Sequence, residues 1–360
     1  MKQSLEDADR LARYVTVGTT LALLSDRRLG ELVDSAAPIG SGIGGTAVLL
    51  RVEGTPVFAK RVPLTDTERQ PENVMSTANH FRLPPGCQYG IGGPGFGAWR
   101  ELAANAMTTG WVLEGRFGSF PLMYHWRVLP GAVAPPEEHA DLERTVGYWD
   151  GSPAVRARIE AVAQSSAAVV LFLEYVPQNL HEWLTAQVAL GDGAVELAAA
   201  TVERDLRTAV AFMNANGLLH FDAHFRNVLT DGRRLYLADL GLATSPRFEL
   251  SAAETEFLRR NAGHDGCYVT TELVNWLVAA LSGAADPVAF HRKHGVEAIR
   301  RYAGGEQPAN VPPAVASIIR RHAPVAAVLN DFYRTLYDES RTAPYPLSEI
   351  ARVGATTGQP

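Results

Sequence analysis

Apolar residues recur at two different periods along this chain, and the switch from one to the other marks out its parts. Residues 2–34 set Leu and Val at helical spacing among acids and arginines, which predicts one or two short amphipathic helices. From Ala47 to Val52 the apolar positions become continuous. The turn Glu53-Gly54 follows, then a second run from Pro56 to Val62 carrying Lys60, so a strand-turn-strand is expected. Ala98–Met107, AWRELAANAM, returns to strong helix formers. Pro121–Leu129 and Val169–Val176 are strand-like again, and with the earlier strands they predict a five-stranded antiparallel sheet. Helical spacing then dominates. A short helix is expected over Leu180–Leu184 and a long one over Val195–Asn214, stopped by Asn216-Gly217 as a left-handed cap. His264-Asp265 opens a strongly apolar helix over Cys267–Leu281, and 285–338 supply further amphipathic helices.

Two stretches break the pattern. Residues 65–97 contain Pro71, Pro84, Pro85 and Pro94 with a cluster of glycines from Gly90 to Gly97, and predict a long insertion with at most a short helix near Asn73–Phe81. A second insertion near 130–160 begins with a segment, Pro130 to about Val155, whose Pro, Gly and acidic residues predict a surface excursion. The last twenty residues, with scattered Pro, Gly and Thr, are expected to fray.

The densest candidate chemistry lies between His220 and Gly241, HFDAHFRNVLTDGRRLYLADLG. Asn227-Val228-Leu229 and Leu235–Ala238 are two short apolar runs, and Asp231-Gly232 between them is a hairpin signal. Folding back there brings Asn227 and Asp239 close enough to share a cation. Their hard oxygens suit magnesium carried in on a polyphosphate. Asp222, five residues before the amide, is placed to accept the proton of an attacking hydroxyl, and the set predicts phosphoryl transfer. Upstream, Gly40, Gly42 and Gly45 form a GxGxxG pattern whose backbone amides can approach phosphate oxygens, although a simple flexible hairpin has the same composition. The pattern leads into a strand instead of opening a helix, which argues against a dinucleotide-binding crossover.

His220-Phe221-Asp222 with Asn227, followed by Asp239-Leu240-Gly241, resembles the catalytic loop and metal-binding triplet of the protein-kinase-like superfamily. His224 is similar to the H-x-D-x-H-x-x-N form of aminoglycoside and choline phosphotransferases. The resemblance covers roughly 38–282 and implies a bilobal α+β fold. On it, 1–34 is a helical extension, 35–176 a small lobe built on the antiparallel sheet, 177–340 a mostly helical lobe and 341–360 a tail. It further implies that Lys60 contacts the α and β phosphates and that Glu101 pairs with it, with Glu68 and Glu72 as substitutes. The Glu174 carbonyl and Val176 amide would read the purine. His220 is assigned to loop packing, and Asp265 either caps its helix or braces the catalytic loop. ATP and magnesium are the implied cofactors. The acceptor is a hydroxyl of a small molecule, favoured by His224 and the missing Ala-Pro-Glu platform, or of a protein or peptide Ser/Thr, favoured by Asp239-Leu240-Gly241 and the hinge. A nucleotide-binding pseudokinase scaffold is the alternative from another class. All of this requires the two carboxylates, the amide and Lys60 to meet in one cleft.

Composition narrows the setting. At 360 residues with 46% hydrophobic and 20% charged side chains, the chain can bury a large core. A net charge of −6 gives no support to a nucleic-acid-binding surface. No apolar run approaches the roughly 20 residues that span a bilayer. Cys87 and Cys267, far apart and without CxxC spacing, fit a reducing cytosol, and the acid-bearing first residues do not resemble a secretion signal. A cytoplasmic protein is expected, with no membrane or nucleic-acid partner.

Overall fold

The computed structural model describes residues 2–42, 45–133, 136–284 and 290–357. Ile43-Gly44 of the glycine-rich sequence, Ala134-Pro135 in the second predicted insertion, the start of the helical stretch expected at 285, and the last three residues of the expected tail lie outside them. The chain forms two units, Met1–Val176 with Asp239–Glu254, and Pro177–Ala238 with Thr255–Pro360.

The first unit opens with α1 (Lys2–Ala22) and α2 (Asp26–Asp34), which lie on β4 and β2 of the sheet that follows. That sheet comprises β1 (Ala37–Gly42), β2 (Gly45–Val52), β3 (Thr55–Leu64), β4 (Met123–Pro130) and β5 (Ala167–Glu174). Its strands are antiparallel in the order β1-β2-β3-β5-β4, so the predicted five-stranded sheet is present. β5 lies between two partners, and its first six residues are buried on both faces, the reason its sequence runs apolar without alternation. The β2–β3 turn uses Glu53 at φ 47° and Gly54 at φ 75°, the double left-handed conformation that matches strand twist. Against the sheet lies α4 (Ala98–Leu113), whose Ala98, Trp99 and Leu102 pack with Val62, Leu64, Met123, Val169 and Leu171.

Both interruptions differ from expectation. The short helix is α3 (Asp66–Arg69), and no helix covers 73–81, because Thr65 and Glu68 close a capping box that starts the turn earlier. The segment after Pro130 runs mostly along the surface, yet it is ordered into helices. It builds α5 (Leu142–Tyr148) and α6 (Pro153–Ala163), and Trp149, Val155 and Ile159 are buried against Leu83, Cys87 and Phe96 of the other interruption. Each stretch lacks periodicity because its apolar residues meet a partner distant in sequence.

In the second unit, β6 (Gln178–Asn179) leads into α7 (Leu180–Ala189) and α8 (Asp192–Ala215), the latter ended by Asn216 and by Gly217 at φ 74°. β7 (Val228–Thr230) and β8 (Leu235–Leu237) form the predicted hairpin, with Gly232 at φ 85° in its turn and β6 along its outer edge. α9 (Ala252–Arg260) begins in the first unit and ends in the second. α10 (His264–Ala280), α11 (Val296–Ala303) and α12 (Pro313–Asp338) pack together, and α8 packs on α10 and α12. The expected fraying of the C-terminal stretch is corrected by α13 (Leu347–Thr357), which lies on α12. Among the described residues, no helix is long and apolar enough to cross a membrane.

Candidate functional site

Lys60 points from the middle of β3, opposite Ala47 of β2 and Leu171 of β5. Its Nζ donates to Glu101 Oε1 at 2.7 Å and to Asp239 Oδ1 at 2.7 Å. The Lys60 and Glu101 side chains are 8% and 3% exposed, whereas Asp239 is 43% exposed. Burial disfavours the ammonium, but Asp239 and Glu101 outweigh it and hold the Lys60 pKa well above its ordinary value, so the group stays charged. Glu101 is therefore the partner of Lys60. Glu68 is engaged elsewhere: its Oε2 accepts from Arg158 at 2.8 Å, and its Oε1 caps the first amide of α4 at 3.1 Å. Asn105, a polar residue one turn after Glu101, is satisfied by the Glu101 carbonyl at 2.9 Å.

The segment that carries Asp239 is anchored to the same unit. Asp239 itself takes a left-handed conformation at φ 55°, unusual for a residue with a Cβ. At Gly241 an added Cβ would lie 3.2 Å from Glu101 Oε2 and 3.4 Å from Asp239 Oδ1, so a side chain there would press on Glu101. Gln88 donates to the Leu242 carbonyl, the Glu249 amide donates to Thr77 Oγ1 at 2.9 Å, and Arg100 pairs with Glu254 at 2.6 Å. Arg100 holds the far end of this segment directly, and its neighbour Glu101 meets the near end through Lys60.

Of the other expected binding residues, Gly40 and Gly42 close β1, and Gly45 opens β2 at φ 119° opposite Gly42. Glu174 ends β5 opposite Val57, and Val176, buried, follows two residues later. The Glu174 side chain has a structural partner that sequence patterning did not identify. Arg10 of α1 donates to it at 2.6 and 2.9 Å and also to the carbonyls of Gly118 and Phe120. A signal existed: Arg10, Val17 and Leu21 share the buried stripe of α1, a position where arginine requires a partner.

In the second unit, Asp222 and Asn227 are brought together. Asn227 Nδ2 donates to the Asp222 carbonyl and to its Oδ2, both at 3.0 Å, so the amide oxygen is the atom left for a cation. His224 Nδ1 accepts the Arg226 amide at 3.2 Å, which puts the ring proton on Nε2, 3.8 Å from Asp222 Oδ1. The loop rests on Asp265, whose two oxygens accept the amides of His220 at 2.7 Å and Phe221 at 2.9 Å. Asp265 thus braces the loop and does not cap α10. Burial works against its charge, yet hydrogen bonding from His264 and the loop amide outweighs it and lowers the carboxyl pKa. His220 accepts the Asp222 amide on Nδ1 at 3.3 Å and donates Nε2–H to the Ala238 carbonyl at 3.0 Å, which ties the loop to the hairpin's end. Phe221, at φ 63°, stacks on His264 with ring centroids 4.9 Å apart. No protein-family model matches this chain, and no curated protein sequence matches it.

Proposed function

We propose that the chain is a cytoplasmic ATP- and magnesium-dependent phosphotransferase of two-lobed, protein-kinase-like fold, acting on a hydroxyl of a small molecule or of a protein or peptide Ser/Thr. The observation that carries this proposal is Lys60, held charged between one fully buried acid and one half-exposed acid. A lysine that only needed burial would be served by Glu101 alone. The added tie to Asp239, which follows Ala238 at the end of the hairpin, sets a cation beside a carboxylate that solvent and ligands can still reach. Asp239 and the Asn227 amide oxygen suit magnesium, which prefers few protein oxygens and completes its shell with water and phosphate. When bound, the ion would neutralise phosphate charge.

Lys60 binds and orients the α and β phosphates, with the backbone at Gly40, Gly42 and Gly45 lying over them, and the Glu174 carbonyl and Val176 amide read the purine. Asp222, oriented by Asn227 and His224, takes the acceptor's hydroxyl proton as the hydroxyl oxygen bonds to the γ-phosphorus, and the bond from that phosphorus to the bridging oxygen breaks so that this oxygen leaves with the nucleoside diphosphate. Catalysis is mostly positioning and charge neutralisation. Incubation with labelled ATP, magnesium, a protein mixture and a metabolite extract tests the proposal. Label in protein identifies a protein kinase, and label in small molecules a metabolite kinase. Nucleotide binding without transfer supports a scaffold, and the absence of nucleotide binding overturns the proposal.

A further inference from the structure

The buried stripe of α1 carries Arg10 beside Val17 and Leu21. A guanidinium on such a stripe is stable only where its donors are satisfied. Its Nε donates to Glu174 Oε1 and Oε2, both at 2.9 Å, and its Nη2 to Oε2 at 2.6 Å. Nη1 donates to the Gly118 carbonyl at 3.0 Å, and Nη2 also to the Phe120 carbonyl. The same Glu174 Oε2 accepts the Leu122 amide at 3.1 Å, while the Leu122 carbonyl accepts the Glu174 amide at 2.7 Å. Glu174 is thus fixed through both its side chain and its backbone.

The helix that carries Arg10 has little room to shift. At Gly18 an added Cβ would lie 2.9 Å from the Tyr124 carbonyl, so the helix backbone touches β4 directly, and the Tyr14 and Tyr124 rings lie 6.3 Å apart. Arg10, Tyr14 and Gly18 are spaced four apart and share one face of α1. Val169 and Leu171 pack with α4, and Leu173 joins them, so the Glu174 side chain leaves β5 on the opposite face, where it meets Arg10. Val176, two residues on, is the last residue of this stretch of the first unit. The grip, the strand end and the residue that follows it therefore belong to one body.

We infer that Arg10 is a positioning residue for the nucleotide base: by gripping the Glu174 side chain and the loop before β4, it fixes the direction of the Glu174 carbonyl and the Val176 amide and so decides which purine edge is accepted. This rests on those two groups reading the purine in the proposed phosphotransferase. Adenine offers them an amino hydrogen and a ring-nitrogen acceptor. Hypoxanthine offers a carbonyl and a ring N–H, the reverse order. Hydrogen bonds reject the reversed edge only when the reading groups cannot turn to meet it. The phosphates are held by Lys60 and the glycine-rich strands in the same proposal, so a lost grip at Arg10 acts on the base and not on the triphosphate.

The test titrates the full chain, with magnesium, against ATP and against inosine triphosphate, which differ only at the purine edge. Calorimetry is expected to show the parent preferring ATP by roughly tenfold or more, and Arg10→Met bringing the two affinities within about twofold by weakening ATP. KM for ATP is expected to rise in the variant with kcat held. Should Arg10→Met not fold, because it leaves Glu174 buried without its cation, Arg10→Lys serves in its place. That variant keeps a cation at Glu174 but has one nitrogen for the work of three, and is expected to fold and retain a preference of only about threefold. ATP and inosine triphosphate weakened alike, or the parent's preference kept, overturns the inference alone, since a merely structural role would give one or the other. A parent that binds no nucleotide overturns the phosphotransferase proposal, and a parent that binds both equally overturns the purine assignment; the inference falls with either.

Discussion

The acids of the two units are used in opposite ways. In the first, Glu101 and Asp239 both close on Lys60, and the lysine and Glu101 are almost sealed from water. In the second, Asp222 is 29% exposed and accepts the Asn227 side-chain amide, while the buried Asp265 beneath it accepts two amides of the loop backbone. One cluster is built to keep a charge in place. The other orients a carboxylate on a braced loop, with the Asn227 side-chain amide donating to it.

Substitutions separate these roles. Asp222→Ala has the largest expected effect, a fall in turnover on the order of 10³-fold with nucleotide affinity unchanged, since only proton acceptance is lost. Single-turnover kinetics beside calorimetry checks it, and retained turnover in the purified variant overturns the role. Lys60→Met strands Glu101 in the core and is expected to cost about 3 kcal/mol of stability together with nucleotide affinity. Denaturant midpoints measure the first and calorimetry the second.

Asp265→Asn removes a buried charge from two amides and is expected to cost about 2 kcal/mol at neutral pH. Its folded pKa lies below the ordinary 3.8, so its contribution is complete above that value and is lost as pH falls through the lower folded value. Acid titration of stability should therefore be steeper below 3.8 in the parent than in the variant. Asp239→Ala is expected to have the smallest effect on stability, within about 1 kcal/mol because the group is half exposed, while weakening magnesium-nucleotide binding roughly tenfold. A stability loss matching that of Lys60→Met would show that the two acids hold the lysine equally, and would erase the contrast.

Local signals made much of the architecture readable. The five strands, the Asp231-Gly232 hairpin and the Gly217 cap each follow from residues adjacent in the chain. Glu101 was legible as a candidate because it sits in the first turn of a strong helix, but choosing it over Glu68 needed the Arg158 partner of α6, ninety residues beyond Glu68. Trp149 and Cys87 were hidden for the same reason, since neither lies on a periodic stripe.

The sequence by itself determined the five strands, the hairpin and the long helices and which polar residues stand on the loop and hairpin between His220 and Gly241, because period, turn and cap chemistry act over a few residues. Only the tertiary structure decided which carboxylate meets which cation. Burial and charge pairing depend on neighbours that the chain supplies from tens or hundreds of residues away.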